Sequence, residues 1–233
     1  MGNLFSALLR TGLFLLPGIF PFAFLFFLAA CRFPSWMAVS DPLPARLDAI
    51  FTYSGEGVRN LYSRSLADRY PASVWAVGDY PLLRRKNYAA GVDGGRLVFL
   101  SKRWGNTHQE NQGLFAALDS VFRDRRDTIH VGLVTGPYHI RRAFLDVSFS
   151  PHPANWRFHR LPVPYEYYKW DEKYFREWYL HPRLRQLMMF ETGKTIYYYF
   201  RYWRQVAAPA ARVPTSPPCN MKPPSPQGEG GVF

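Results

Sequence analysis

Cysteine is nearly absent from this chain of 233 residues: there are two, Cys31 and Cys219, near opposite ends. That pair supports neither a disulfide framework nor a thiolate metal site. The six histidines include no i,i+4 pair with a carboxylate, so a zinc site of that kind is excluded as well. Acid is scarce. Seventeen Asp and Glu face 29 Lys and Arg, giving a net charge of +12. No carboxylate cluster of the kind that holds magnesium is visible. The basic charge comes without zinc-finger spacing or an RNA-recognition sheet motif, so nucleic acid is not the expected partner. An anionic membrane surface or a phosphorylated ligand fits it better. There is no internal repeat. A hydrophobic content of 48% with 18% aromatics excludes general disorder. Once a leader and a tail are set aside, the remaining length suits one domain with a real core.

One long apolar run is present. Residues 12–31 carry no charge over 20 positions, enough for a helix to span a bilayer. Pro17 and Pro21 would kink such a helix, which membrane helices tolerate. Arg10 and Arg32 flank the run too evenly for the positive-inside rule to orient it. Leu28-Ala29-Ala30-Cys31 also reads as a lipobox, with lipidation at Cys31. The apolar part of a signal peptide is usually ~7–15 residues long, shorter than this run, so an uncleaved anchor is preferred. Either reading places the domain at a bacterial plasma membrane, on its extracytoplasmic side. The expected organisation is an anchor or signal segment over residues 1–32, a Pro-containing linker over 33–46, an α/β domain with C-terminal helices over 47–206, and a Pro/Gly-rich disordered tail over 207–233.

Within the domain, strands and helices alternate. Residues 48–53, 74–77, 97–100, 129–134 and 156–161 read as strands. Val58, Leu61, Tyr62 and Leu66 share one helical face, and Leu114, Phe115, Leu118, Val121 and Phe122 mark a strongly amphipathic helix. This order implies an α/β fold with a parallel sheet flanked by helices, preceded by one N-terminal transmembrane helix. Residues 171–203 are helical in character and rich in Tyr and Trp, expected to pack on the sheet or to lie near the membrane surface. Core packing is the expected role of their aromatics.

The most informative stretch is residues 131–143, VGLVTGPYHIRRA. A buried strand turns directly into a helix there, and the turn carries a hydroxyl, an imidazole and two guanidiniums. A helix N-terminus beside cations is suited to anions. His139 is a candidate general acid or base with a pKa near the working range. Arg142 suits a bidentate grip on phosphate or carboxylate, while Arg141 is expected to face solvent. Thr135 and Tyr138 complete the cluster. Other strand ends contribute Gly55, Gly57 and Arg59, then Gly78 and Asp79, then Thr107, His108, Glu110 and Asn111. In a parallel sheet these loops meet at one edge. Gly55 and Gly57 would let a backbone approach phosphate. Arg59 would reach a ligand or pair with Asp79. Thr107 and Glu110 have capping-box spacing, which accounts for both without a ligand.

These residues resemble the YdcF-like family, the bacterial envelope proteins of SanA and ElyC type. The resemblance is carried by Asp48 with Gly55 and Gly57, then Arg59, Gly78, Thr107-Glu110-Asn111, and Thr135, Tyr138, His139, Arg142 and Ala143. Glu191 and Lys194 resemble a late Glu-x-x-Lys of that family. It covers residues 48–194. The chain departs from the pattern at Glu56, inside the first glycine turn, and at Val77-Gly78-Asp79, where Ser-Gly-Gly is usual.

The resemblance implies a Rossmann-like fold, a membrane anchor and a link to envelope or peptidoglycan biogenesis. The expected ligand is anionic: nucleotide-like, or linked to a polyprenyl phosphate. If the protein is an enzyme, phosphoryl or pyrophosphate chemistry is expected. Arg59 and Arg142 would hold the anion, His139 would move a proton, and Glu110 with Asn111 would orient the ligand. The alternatives are a non-catalytic envelope scaffold or binding protein, and a methyltransferase using S-adenosylmethionine with Asp79 at the ribose. No cofactor is assigned by the residues themselves.

Overall fold

The structure is a computed structural model that describes residues 32–33, 35–78, 91–100, 105–168 and 172–207. The apolar run with Cys31, the tail with Cys219, and Asp79 lie outside the described residues. Five strands form the sheet: β1 (Ala49–Thr52), β2 (Val74–Val77), β3 (Leu97–Phe99), β4 (Ile129–Thr135) and β5 (Trp156–Pro162). Every neighbouring pair is parallel, in the order β3-β2-β1-β4-β5. This is a Rossmann-like α/β fold, with an all-parallel sheet flanked by helices.

The central strands are largely apolar because both of their faces are covered. All four residues of β1 are buried. Alternation sends Ala49 and Phe51 to one face and Ile50 to the other. On the first face they meet Leu114 and Leu118 of α2 (Thr107–Phe122), and Ile140, Ala143 and Val147 of α3 (Ile140–Phe149). On the second, Ile50, Trp75 and Val134 pack on Leu66 and Ala67 of α1 (Gly57–Arg69).

The C-terminal segment forms α4 (Glu172–Arg176), a short 3-10 turn at Trp178–Leu180 and α5 (Pro182–Ala207). α5 does not cover the sheet. It packs on α3, with Tyr198 and Tyr202 against Leu145 and with Tyr202 stacked on Phe149 at 4.9 Å. It is therefore a third layer, and its aromatics divide. Tyr198 and Tyr202 are buried, while Phe190, Tyr197, Phe200 and Trp203 are exposed.

The segment expected to be a linker is packed. Met37 is fully buried among Tyr138, Phe175, Leu184 and Met188. The carboxylate of Asp41 accepts from the backbone N–H and the guanidinium of Arg160 on β5. Arg141, expected in solvent, lies 4.3 Å over the Trp36 ring and donates to the Trp36 carbonyl. Proline-rich composition argues against regular structure, yet residues 35–37 of this arm are helical and the rest packs as extended chain. Among the described residues no helix is long and apolar enough to cross a membrane. Met37→Ala should lower the unfolding free energy by about 2–5 kcal/mol, the usual cost of emptying a core site. Chemical denaturation of the two proteins checks this, and equal midpoints would return the arm to the status of a tether.

Candidate functional site

The strand order reverses between β1 and β4, and open parallel sheets bind ligands at the carboxyl edge beside such a reversal. A cavity of about 240 Å³ opens there. Ser54 and Arg59 reach it from the end of β1 and the start of α1. Gly105, Asn106, Thr107 and Glu110 reach it from the start of α2. Tyr138, His139 and Arg142 reach it from the turn into α3, and Glu191 from α5. Of the residues singled out in the sequence, Arg59, Thr107, Glu110, Tyr138, His139 and Arg142 thus share one cavity. Gly55, Gly57, Gly78, Asn111 and Thr135 are not among its lining residues.

Arg142 is buried and its donors are taken. Its Nε donates to Glu191 Oε2 at 3.0 Å and its Nη2 lies 2.9 Å from the same oxygen. Nη1 donates to the Thr107 hydroxyl, and Nη2 also donates to His139 Nδ1 at 2.8 Å. The expected bidentate grip exists, but its carboxylate is the protein's own. Sequence reasoning left Glu191 out of the site. Its only signal was the late Glu-x-x-Lys, and Lys194 does sit 3.2 Å from Glu191 Oε1.

The same cluster sets the state of His139, whose Nδ1 stands between the Arg142 guanidinium at 2.8 Å and the Glu191 carboxylate at 3.3 Å. Burial and the nearby Arg142 charge depress the His139 pKa to about 4. The expectation of an imidazole titrating near neutrality is therefore corrected: the His139 ring is neutral above about pH 4. Burial opposes ionisation of Glu191, but its contacts with His139, Arg142 and Lys194 outweigh that and lower its pKa. Burial pushes the Tyr138 phenol up, so it remains protonated.

Arg59 is held differently. Its Nη1 donates to the Ser54 carbonyl, its Nη2 is 3.8 Å from a half-exposed Glu56 carboxylate, and its buried Nε has no hydrogen-bond partner among the described residues. It curls over Gly55. A Cβ there would stand 2.9 Å from Nη1, and the backbone has φ 132°, so glycine is required twice over. The room expected for a phosphate is filled by the chain's own guanidinium. Gly57 opens α1 behind the N-cap residue Glu56.

Gly78 is also occupied space. A Cβ would lie 2.1 Å from Glu110 Oε1, which accepts the Ser54 backbone N–H at 2.6 Å. Glu110 thus ties α2 to the end of β1, and the expected capping box is absent. Asn106 caps instead, accepting from the Gln109 N–H at 3.0 Å, while Thr107 turns its hydroxyl to Arg142. Asn is as good an N-cap as Thr, and here it stands one position earlier. Asn111 belongs to a separate buried network: it accepts from the Tyr53 hydroxyl and donates to Asp146. Asp146 also accepts from the Tyr202 hydroxyl and lies 3.1 Å from His108 Nδ1. Thr135 is buried at the end of β4, its hydroxyl without a partner among the described residues. No group of acidic, His or Cys side chains among the described residues could hold a metal ion.

Two measurements check this arrangement. Glu191→Gln should cost about 3–5 kcal/mol in unfolding free energy, because it strands a buried guanidinium. The pH dependence follows from His139. Between about 4 and its ordinary value of 6.5 the unfolded chain binds the proton and the folded one does not, so stability rises with pH and is lost on acidification through that window. His139→Asn keeps an acceptor for Arg142 and should flatten that part of the profile. An unchanged profile would assign the acid sensitivity elsewhere. Comparison with protein-family models, with curated proteins and with solved structures found no match for this chain, and the reading of the site rests on its own geometry.

Proposed function

We propose that this is a membrane-anchored, YdcF-like protein of the bacterial envelope whose crevice holds an anionic, phosphate-containing ligand through Arg59. One observation carries the ligand class. Arg59 lines the cavity as a buried guanidinium with one neutral carbonyl, a distant carboxylate and an unpartnered Nε. Its charge is under-compensated, whereas that of Arg142 is matched by Glu191. Tyr138 and His139, both uncharged, line the same cavity. A phosphate oxygen is the acceptor that suits such a set.

The size of the cavity narrows the ligand. At about 240 Å³ it falls below the ~300–1,000 Å³ typical of drug-sized sites. It suits a phosphate-bearing head, with any polyprenyl chain left outside. S-adenosylmethionine fits less well, since the glycine turn it would use is filled by Arg59. A role in peptidoglycan biogenesis follows from the family resemblance and the anchor alone. Phosphoryl transfer has weaker support than binding, because an imidazole that is neutral above about pH 4 has no proton to give as a general acid near neutrality, and its Nδ1 is engaged by Arg142 and Glu191. The non-catalytic binding reading is favoured by that same observation.

Inorganic pyrophosphate is the probe. At a hundredfold over Kd it should stabilise the protein by about 2.7 kcal/mol in a thermal-shift titration. Arg59→Ala should weaken binding by roughly 10- to 100-fold, the loss of ~1.5–3 kcal/mol from a charged hydrogen bond. Arg142→Ala should instead lower the melting temperature without ligand. Equal pyrophosphate shifts in wild type and Arg59→Ala would remove the anion reading.

A further inference from the structure

We propose that the outer face of α5 lies on the membrane surface, with its aromatic side chains in the interfacial layer of an anionic bilayer. This rests on the anchored reading above for the presence of a bilayer. Met189, Ile196, Phe200 and Trp203 recur at i, i+7, i+11 and i+14, so they form one stripe along the helix, and all are exposed. Phe200 and Trp203 reach 67% and 73% exposure. The opposite face, with Leu184, Met188, Tyr198 and Tyr202, is buried. A contiguous apolar stripe of this kind on a water-soluble surface marks an interaction site.

Charge selects the occupant. Arg183, Arg185 and Arg201 lie on the same helix, and its one acid, Glu191, is buried against Arg142 and paired with Lys194. Lys194 Nζ sits 4.0 Å over the Phe190 ring. A second copy of this face would set like charges against each other, and its bulky rings are not the Leu and Ile of a helix–helix seam. Anionic headgroups meet the cations, and the aromatic rings suit the boundary between headgroups and acyl chains.

The chain path agrees. The charge-free run ends at Cys31, two residues before Phe33, and two residues reach at most about 7 Å. Phe33 packs 5.5 Å from Trp178, immediately ahead of α5 and beside the exposed Leu180. The anchor therefore meets the domain in the α5 layer.

The test uses the full chain carrying Cys31→Ser and Cys219→Ser, with one reporter cysteine labelled by an environment-sensitive fluorophore. The reporters are Phe200→Cys and Trp203→Cys, and the control is Leu61→Cys on α1, across the sheet. The protein is reconstituted in phosphatidylglycerol–phosphatidylcholine vesicles. Labels at both reporter positions should emit at shorter wavelength than the control and be quenched by brominated lipid, and the control should not be quenched. Failure of the chain to float with vesicles removes the anchored reading together with this one. Flotation with unquenched labels at positions 200 and 203 overturns this inference alone. A blue-shifted, unquenched label at position 200, together with disulfides between protomers when the unlabelled Phe200→Cys protein is oxidised by copper phenanthroline, also overturns it, assigning the face to a second copy.

Discussion

The guanidinium of Arg142 ties together three helices at the mouth of the cavity, as Asp146 does deeper between the same helices. Arg142 sits on α3, donates to Thr107 on α2 and to Glu191 on α5, and contacts His139 Nδ1 at its own helix start. Burying such a pair costs several kcal/mol per ion in lost hydration, which good geometry and further hydrogen bonds offset. Its value here is in position more than in stability. α5 packs on α3 and gains no support from the sheet, so a directional contact is what sets its rotation and height against α3.

The carboxyl edge of the sheet shows how topology and side chains divide the determination of a site. Parallel pairing brings the ends of β1 and β4 together whatever residues follow them. What fills the crevice depends on reach. Arg59 folds back over Gly55, and Glu110 crosses Gly78 to the Ser54 amide. Both glycines are spaces for the protein's own long polar side chains. The result is a cavity with two carboxylates and two guanidiniums, in which Arg59 is the less compensated cation.

The strands were legible in the sequence because a strand covered on both faces is a short apolar run bounded by turn residues, and residues 74–77 coincide with β2. The convergence of Arg59, Thr107, Glu110, Tyr138, His139 and Arg142 was legible for the same reason, since it needs only the topology. Partners across long separations were not. Glu191 stands 49 residues from Arg142, and Asp146 stands 35 from Asn111, so neither pairing leaves a local pattern. The Thr107–Glu110 spacing was ambiguous by nature: a local cap and two long-range contacts need the same residue types. The arm at residues 35–47 was obscured because proline signals irregular backbone, while Met37 and Trp36 supply the packing.

Glu191 and Phe190 are neighbours on α5, one turned into the cavity and the other out of the protein. Consecutive helical residues are fixed ~100° apart, so neither can turn without the other. A roll of α5 by about 20° would carry a side chain at ~5 Å from its axis through about 2 Å. That distance is enough to break the 3.0 Å bond between Glu191 and Arg142. A turn of the helix would therefore move the outer rings and the ion pair together, and with the ion pair the contacts of His139 Nδ1.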